Sequence, residues 1–215
     1  MAGAEAPASP ALPPEAAVAA PDLVLASASP RRRELLARLG VAPARILAPD
    51  IDESPLPREI PRDHAVRLAA EKARAAAALA PGTLILAGDT AVGVGRRILP
   101  KAEDEATARR CLSLLSGRRH RVFSAIALLS PEGVLREALS ETIVRFKVLS
   151  AEEIDAYIAG GEWHGKAGGY AIQGQAAALI PWVSGSYSNV VGLPLFETAQ
   201  LLTGRGYRLP CAANC

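Results

Sequence analysis

A short apolar run, DLVLASA from Asp22 to Ala28, breaks off at Ser29-Pro30. It passes directly into a segment whose Leu35, Leu36 and Leu39 share one helical face. Pro30 has no N–H to give a sheet, yet it suits a first helical turn, where that N–H lacks a partner anyway. The folded part must therefore begin as a buried strand feeding a helix, with Ser29 as the expected cap and Gly40 as the stop. Junctions of this kind belong to architectures that mix strands and helices around one sheet.

The rest of the pattern agrees. RDHAVRLAAEKARAAAALA, from Arg62 to Ala80, is rich in strong helix formers and is ended by Pro81 and Gly82. TLILAGDTAV predicts a buried strand with Asp89 and Thr90 at its end, and GVGRRIL a tight turn with a return strand. EDEATARRCLSLLSG predicts a helix closed by Gly117. HRVFSAIALL and VLREALSETIVRFKVL predict an antiparallel hairpin across a Ser-Pro-Glu-Gly turn. Ser150 and Glu153 form a capping box for a helix that ends at Gly160 and Gly161. GYAIQGQAAALIPWVSGSY suggests two further short strands, and LPLFETAQLLTG a final helix. No repeat or linker interrupts Asp22 to Arg208, so one mixed α/β domain is expected over 22–208. An Ala/Pro-rich disordered extension over 1–21 precedes it, and a tail over 209–215 follows.

Composition excludes several classes. The chain has 215 residues, half of them apolar, which is enough for a substantial core. A net charge of +2, with arginines spread along the chain, argues against a nucleic-acid partner and toward a small anion. No apolar run approaches the roughly 18 residues of a spanning helix, and residues 1–21 lack the features of a signal peptide. Cys111, Cys211 and Cys215 match no zinc-site spacing, so a cytoplasmic protein without membrane association is expected.

Candidate chemistry gathers in a few stretches. Arg31, Arg32 and Arg33 open a helix, where positive charge is disfavoured by the helix dipole and an anion would relieve the cost. They point about 100° apart, so they cannot all face one ligand. Lysine is scarce, four residues against twenty arginines, and Lys72, Lys101 and Lys166 stand beside the densest polar motifs. Asp50, Asp52 and Glu53 in PDIDESP could share a hard divalent cation with Asp89. His120 reads as a core or surface histidine by default. The glycine-rich GEWHGKAGGYAIQG loop carries Lys166, Tyr170 and Gln173, whose amide can address a base edge. GSYSNVVGLPLFET adds Gly185, Ser186, Asn189 and another helix start. No P-loop or dinucleotide fingerprint is present.

Taken in order, LASASPRRRELL, DIDES, EKARA, GDTAV, ILPKAEDEATA, LSGRRHRV, KAGGYAIQG and GSYSNVVGLPL resemble the Maf family of nucleoside triphosphate pyrophosphatases over about Leu23 to Leu202. The resemblance implies a mixed twisted sheet with flanking helices and two lobes around a deep cleft, similar to the inosine triphosphate pyrophosphatase architecture. It also implies a homodimer and a Mg2+ or Mn2+ cofactor. By position it implies Asp89 as catalytic base and metal ligand, with Glu53 as second ligand. Ser27, Arg32, Lys72, Lys101 and Lys166 are implied as substrate contacts. Water activated by the metal would attack the α-phosphorus of a nucleoside triphosphate, releasing diphosphate. Arg31, Thr90 and Gln173 match the combination of the subgroup that prefers dTTP and UTP, with Thr90 or backbone groups as candidates to pin the Gln173 amide. A tryptophan or glutamate at these positions would have pointed to 7-methyl-GTP. Two departures stand out. The usual Gly-Lys-Pro is Pro100-Lys101-Ala102, and His164-Gly165 stands where an Asp often precedes the lysine, so an ion pair to Lys166 is expected to be missing. The alternative function is a nucleotide-binding regulator of cell division with little turnover. An RNA-binding reading of GRRHR and the arginine turn fits the small net charge less well.

Overall fold

Strand β1 (Leu23–Ala26) is buried at every position and feeds helix α1 (Pro30–Arg38) directly. The computed structural model describes residues 22–207 and Leu209, so the expected 1–21 extension, Cys211 and Cys215 lie outside the described residues. After β2 (Arg45–Leu47) and a loop come helix α2 (Pro61–Leu79), then β3 (Leu84–Val94), β4 (Arg97–Leu99) and β5 (Lys101–Ala102). Helix α3 (Glu105–Leu115) precedes the long hairpin of β6 (Arg119–Leu129) and β7 (Leu135–Arg145). Helix α4 (Ala151–Ala159), β8 (Lys166–Ala167), a 3-10 turn (Gln175–Leu179), β9 (Trp182–Ser184), α5 (Tyr187–Val191) and α6 (Leu195–Thr203) complete the order.

The main sheet runs β2-β1-β3-β6-β7-β9, with β4 returning on β3, while β5 and β8 pair separately. Only β1 with β2 and β1 with β3 are parallel. Alternation along β3 divides its apolar run between two faces. Ile85 and Ala87 meet the alanine face of α2, whose Ala65, Ala69, Ala73 and Ala76 let the helix lie close. Leu84 and Leu86 meet Leu35, Leu36 and Leu202 from α1 and α6. A third core joins Val92, Val122 and Val144, at the far ends of three strands, to Leu112, Leu115, Phe146, Tyr157 and Tyr170. Asp89 and Thr90 stand on β3 between these two regions. Cys111 is a buried thiol in the third core, with its pKa raised by that burial.

Four local expectations need correction. Asp89 is in the middle of an 11-residue strand and not at its end. It pairs onward with β6, whereas the parallel neighbour β1 stops at Ala26, so the crevice opens beside β3 past the end of β1. Residues 169–184 form a 3-10 turn and one strand, where two strands were expected. Gly168 and Gly169, with φ of 70° and 69°, turn the chain, and Tyr170, Ala171 and Ile172 are then buried in succession instead of alternating. Ser29 occupies the cap position of α1, but its side chain accepts no bond from the helix, while its own N–H donates to Ser27 Oγ at 3.2 Å. Asp52 turns its carboxylate onto the backbone of Ser54 at 2.9 Å, away from Asp89, and Asp50 is exposed.

Candidate active site

The long α2 carries Lys72 on the face that its alanines press against the sheet, so the ammonium is buried. Burying an ammonium costs several kcal/mol unless carboxylates meet it. Two do. Lys72 Nζ lies 2.6 Å from Asp89 Oδ1 and 2.7 Å from Glu53 Oε1. The other oxygen of Glu53 accepts from Lys101 Nζ. Partial burial pushes the Glu53 carboxyl up, but the hydrogen bonds and charges of Lys101 and Lys72 outweigh it and hold the pKa at about 2. The acidic loop and the middle of β3 thus meet around one lysine.

Lys101 reaches this point because β5 pairs with β8, setting Lys101 opposite Ala167 and Ala102 opposite Lys166. Pro100 and Ala102 take part in that placement. Their backbone carbonyls do the holding: Pro100 O accepts from Gly168 N at 3.0 Å and Ala102 O from Gly165 N at 2.8 Å.

The arginine turn divides as helical geometry requires. Arg33 is exposed, Arg31 half-buried and Arg32 buried. Arg32 donates from Nε to Gly192 O at 2.8 Å, from Nη1 to Ser27 Oγ at 3.1 Å and from Nη2 to Thr90 Oγ1 at 3.1 Å. Two of its five N–H groups remain for a ligand. Gly192, with φ of 128°, aims the receiving carbonyl, a conformation that side chains rarely adopt. Thr90 Oγ1 is also 2.8 Å from Ser124 Oγ, its cross-strand neighbour, and Ser124 donates to Asn189 O at 2.8 Å. No hydrogen bond joins Thr90 to Gln173, so the expectation that Thr90 pins that amide is corrected: its hydroxyl is taken up by Arg32 and Ser124. Ser124 and Gly192 were not singled out from sequence. A lone serine inside the apolar VFSAIALL was the available signal for the first.

All ten sequence-predicted residues line one cavity of about 430 Å³. Glu53, Lys72, Asp89 and Lys101 form one wall. Ser27, Arg31 and Arg32 line it from the β1–α1 junction, Thr90 from β3, and Lys166 and Gln173 from the glycine-rich loop. Lys166 Nζ meets only the carbonyl of His164, at 2.8 Å, so among the described residues it forms no ion pair. Its pKa is lowered by burial and then by the charge of Arg31. Arg31 and Arg32 are lowered by burial too, and Arg31 adds repulsion on Arg32. His120 stays out of the cavity. It is buried with Nε2 2.7 Å from the Tyr170 hydroxyl, and burial holds its pKa at about 4.

The family described as Maf-like protein matches residues 22–205. The chain belongs to the Maf family. It is 77% identical to the dTTP/UTP pyrophosphatase of Novosphingobium aromaticivorans, over 86% of this chain and 92% of that protein. It is 62% identical to the dTTP/UTP pyrophosphatase of Sphingopyxis alaskensis, over 88% and 99%. Its fold is similar to that of a HAM1 protein from Coxiella burnetii, with a TM-score of 0.51 and 18% identity, covering 85% of this chain and 98% of that one. Among the described residues, no helix is long and apolar enough to cross a membrane.

Proposed function

We propose that this Maf-family protein hydrolyses dTTP and UTP, and modified pyrimidine triphosphates, to the monophosphate and diphosphate. The observation that carries the reading is the charge balance of the cavity. Lys72 and Lys101 are matched by Glu53 and Asp89, and Glu103 adds one further carboxylate to the lining, so Arg31, Arg32 and Lys166 still leave the cavity with an excess of positive charge, and none of the three forms an ion pair among the described residues. A triphosphate supplies the missing anion beside a carboxylate pair. The relatives' activity supports the same substrate class.

Glu53 and Asp89 would hold the divalent cation, magnesium or manganese. Among the described residues no cluster of three His, Cys, Asp or Glu side chains supplies a larger protein set. Two carboxylates are a suitable set for an ion that completes its shell with phosphate oxygens and water. When bound, the cation neutralises phosphate charge and polarises the reacting group. Asp89 accepts the proton of the attacking water at the α-phosphorus. Lys72, buried against it, holds the carboxylate in place. Arg32, Lys101 and Lys166 stabilise the phosphates and the departing diphosphate. Ser27 orients Arg32. Gln173 accepts from the ring N–H of uracil or thymine and donates to a neighbouring carbonyl. Residues 22–208 act as one domain, as a cytoplasmic homodimer that cleans the nucleotide pool.

Purified protein with magnesium or manganese should release diphosphate from dTTP and UTP faster than from CTP, GTP or 7-methyl-GTP. Asp89→Asn should lose on the order of a hundredfold in rate while nucleotide still binds. Tight binding without turnover under every metal would favour the regulator reading instead.

A further inference from the structure

An exposed glutamine on a loose turn reads a base poorly, because the distance from its amide to the base edge varies with the backbone that carries it. Gln173 is exposed at the cavity edge. What holds its turn is a carboxylate from an earlier segment. Glu162 Oε2 accepts from the backbone N–H of Gln175 at 2.8 Å, two residues beyond Gln173. The carboxylate lies so close over Gly174 that a Cβ there would overlap it.

The contact is built from both sides. The turn closes on itself through Gly174 N to Ala171 O at 3.1 Å and Ala177 N to Gly174 O at 3.0 Å. Glu162 is tied to the end of α4, since Trp163 Nε1 donates to Ile158 O at 2.8 Å and Gly161 N to the same carbonyl at 3.0 Å. Gly160 leaves room for the Gln175 amide, 3.0 Å from where its Cβ would stand. Gly174 has φ of −110° and ψ of −149°, so its φ is not left-handed. The space that a Cβ would need at Gly174 is taken by the flexible end of Glu162, which would have to move aside.

We infer that Glu162 is a positioning residue for base selection, latching the Ala171–Gln175 turn so that the backbone of Gln173 is held at the cavity edge with its amide in reach of the pyrimidine. The inference rests on the reading of Gln173 as the base reader. Glu162 also acts on Lys166 through its charge, so the test must separate a mechanical latch from an electrostatic effect.

The experiment measures kcat and KM for UTP and CTP in the full-length protein and five variants. Gln173→Ala should collapse the UTP-to-CTP ratio of kcat/KM. Glu162→Ala should lower that ratio about tenfold, the worth of one well-made hydrogen bond, chiefly through a higher KM for UTP. Glu162→Gln, which keeps an acceptor oxygen and loses the charge, should hold the ratio within about twofold of the unaltered protein. Gly174→Ala should push the carboxylate aside and reproduce the Glu162→Ala loss. Adding Gly174→Ala to Glu162→Ala should then cost nothing further. If Gln173→Ala leaves the ratio unchanged, the base assignment fails and the latch falls with it. If Gln173→Ala collapses the ratio but Glu162→Ala does not, the latch alone is overturned. It is also overturned if Glu162→Gln is as damaging as Glu162→Ala, or if the losses at 162 and 174 multiply.

Discussion

At the residue scale, Lys72 and Lys101 touch the same Glu53 carboxylate but differ in what their loss exposes. Lys72 is buried and also holds the buried Asp89, so removing it leaves a carboxylate without its cation. Lys72→Met should cost about 3 kcal/mol of stability, the usual penalty for breaking a buried pair, and abolish most turnover. Lys101 has a half-exposed side chain, and its pair is screened by water. Lys101→Met should therefore cost at most about 1 kcal/mol while weakening nucleotide binding. Urea denaturation together with diphosphate release would check both. Equal stability losses in the two variants would contradict this ordering. The scarcity of lysine drew attention to both positions, but sequence could not say which ammonium would be buried. That depends on the alanine face of α2 lying against β3 at the level of Asp89.

At the element scale, helix starts that look alike in sequence differ in their chemistry. Ser29 precedes α1 with Pro30 in first position, but its side chain accepts no bond from the helix. Asp104 caps α3 by accepting from Thr107 N at 2.7 Å, and Ser150 with Glu153 completes a reciprocal box on α4. Asp104→Ala and Ser150→Ala should each cost about 1 kcal/mol, and Ser29→Ala a few tenths at most, read from denaturant midpoints. A loss at Ser29 equal to that at Asp104 would show a cap that the geometry denies. The capping box and the β6–β7 hairpin were legible because their signals are local: fixed spacing, a turn tetrapeptide and β-branched content. The stretch 169–184 was not, because consecutive buried Tyr170, Ala171 and Ile172 fit a buried strand as well as the irregular turn that forms. The third core, which takes Tyr170 and Ile172, decides between them.

At the scale of the whole molecule, acid should weaken the fold in two successive windows that overlap near pH 4. His120 has an ordinary pKa of 6.5 and a folded value of about 4, lowered by burial. The unfolded chain therefore takes up that proton first. Its contribution is full above about pH 6.5 and is lost as pH falls toward 4. Glu53 is held at about 2 by its lysines despite partial burial. Glu59 is held there chiefly by Arg67, with help from His64. These carboxylates contribute fully above their ordinary value of 4.5 and lose that contribution as pH falls toward 2. Thermal midpoints of the unaltered protein should fall in both windows, and His120→Gln should flatten only the upper one. An unchanged slope between pH 6.5 and 4 in that variant would show that other groups govern it. The mixed α/β class, the strand-to-helix junction at Pro30 and the residue types at the cavity were determined by sequence alone, since each follows from local periodicity, a missing N–H or an ordered set of motifs. Tertiary structure decided that Arg32 turns inward onto Ser27, Thr90 and Gly192, that Ser124 backs Thr90, and that Glu53 meets Asp89 across Lys72. Those contacts join residues up to 160 positions apart, and no local pattern encodes a partner that only the folded sheet brings within hydrogen-bonding distance.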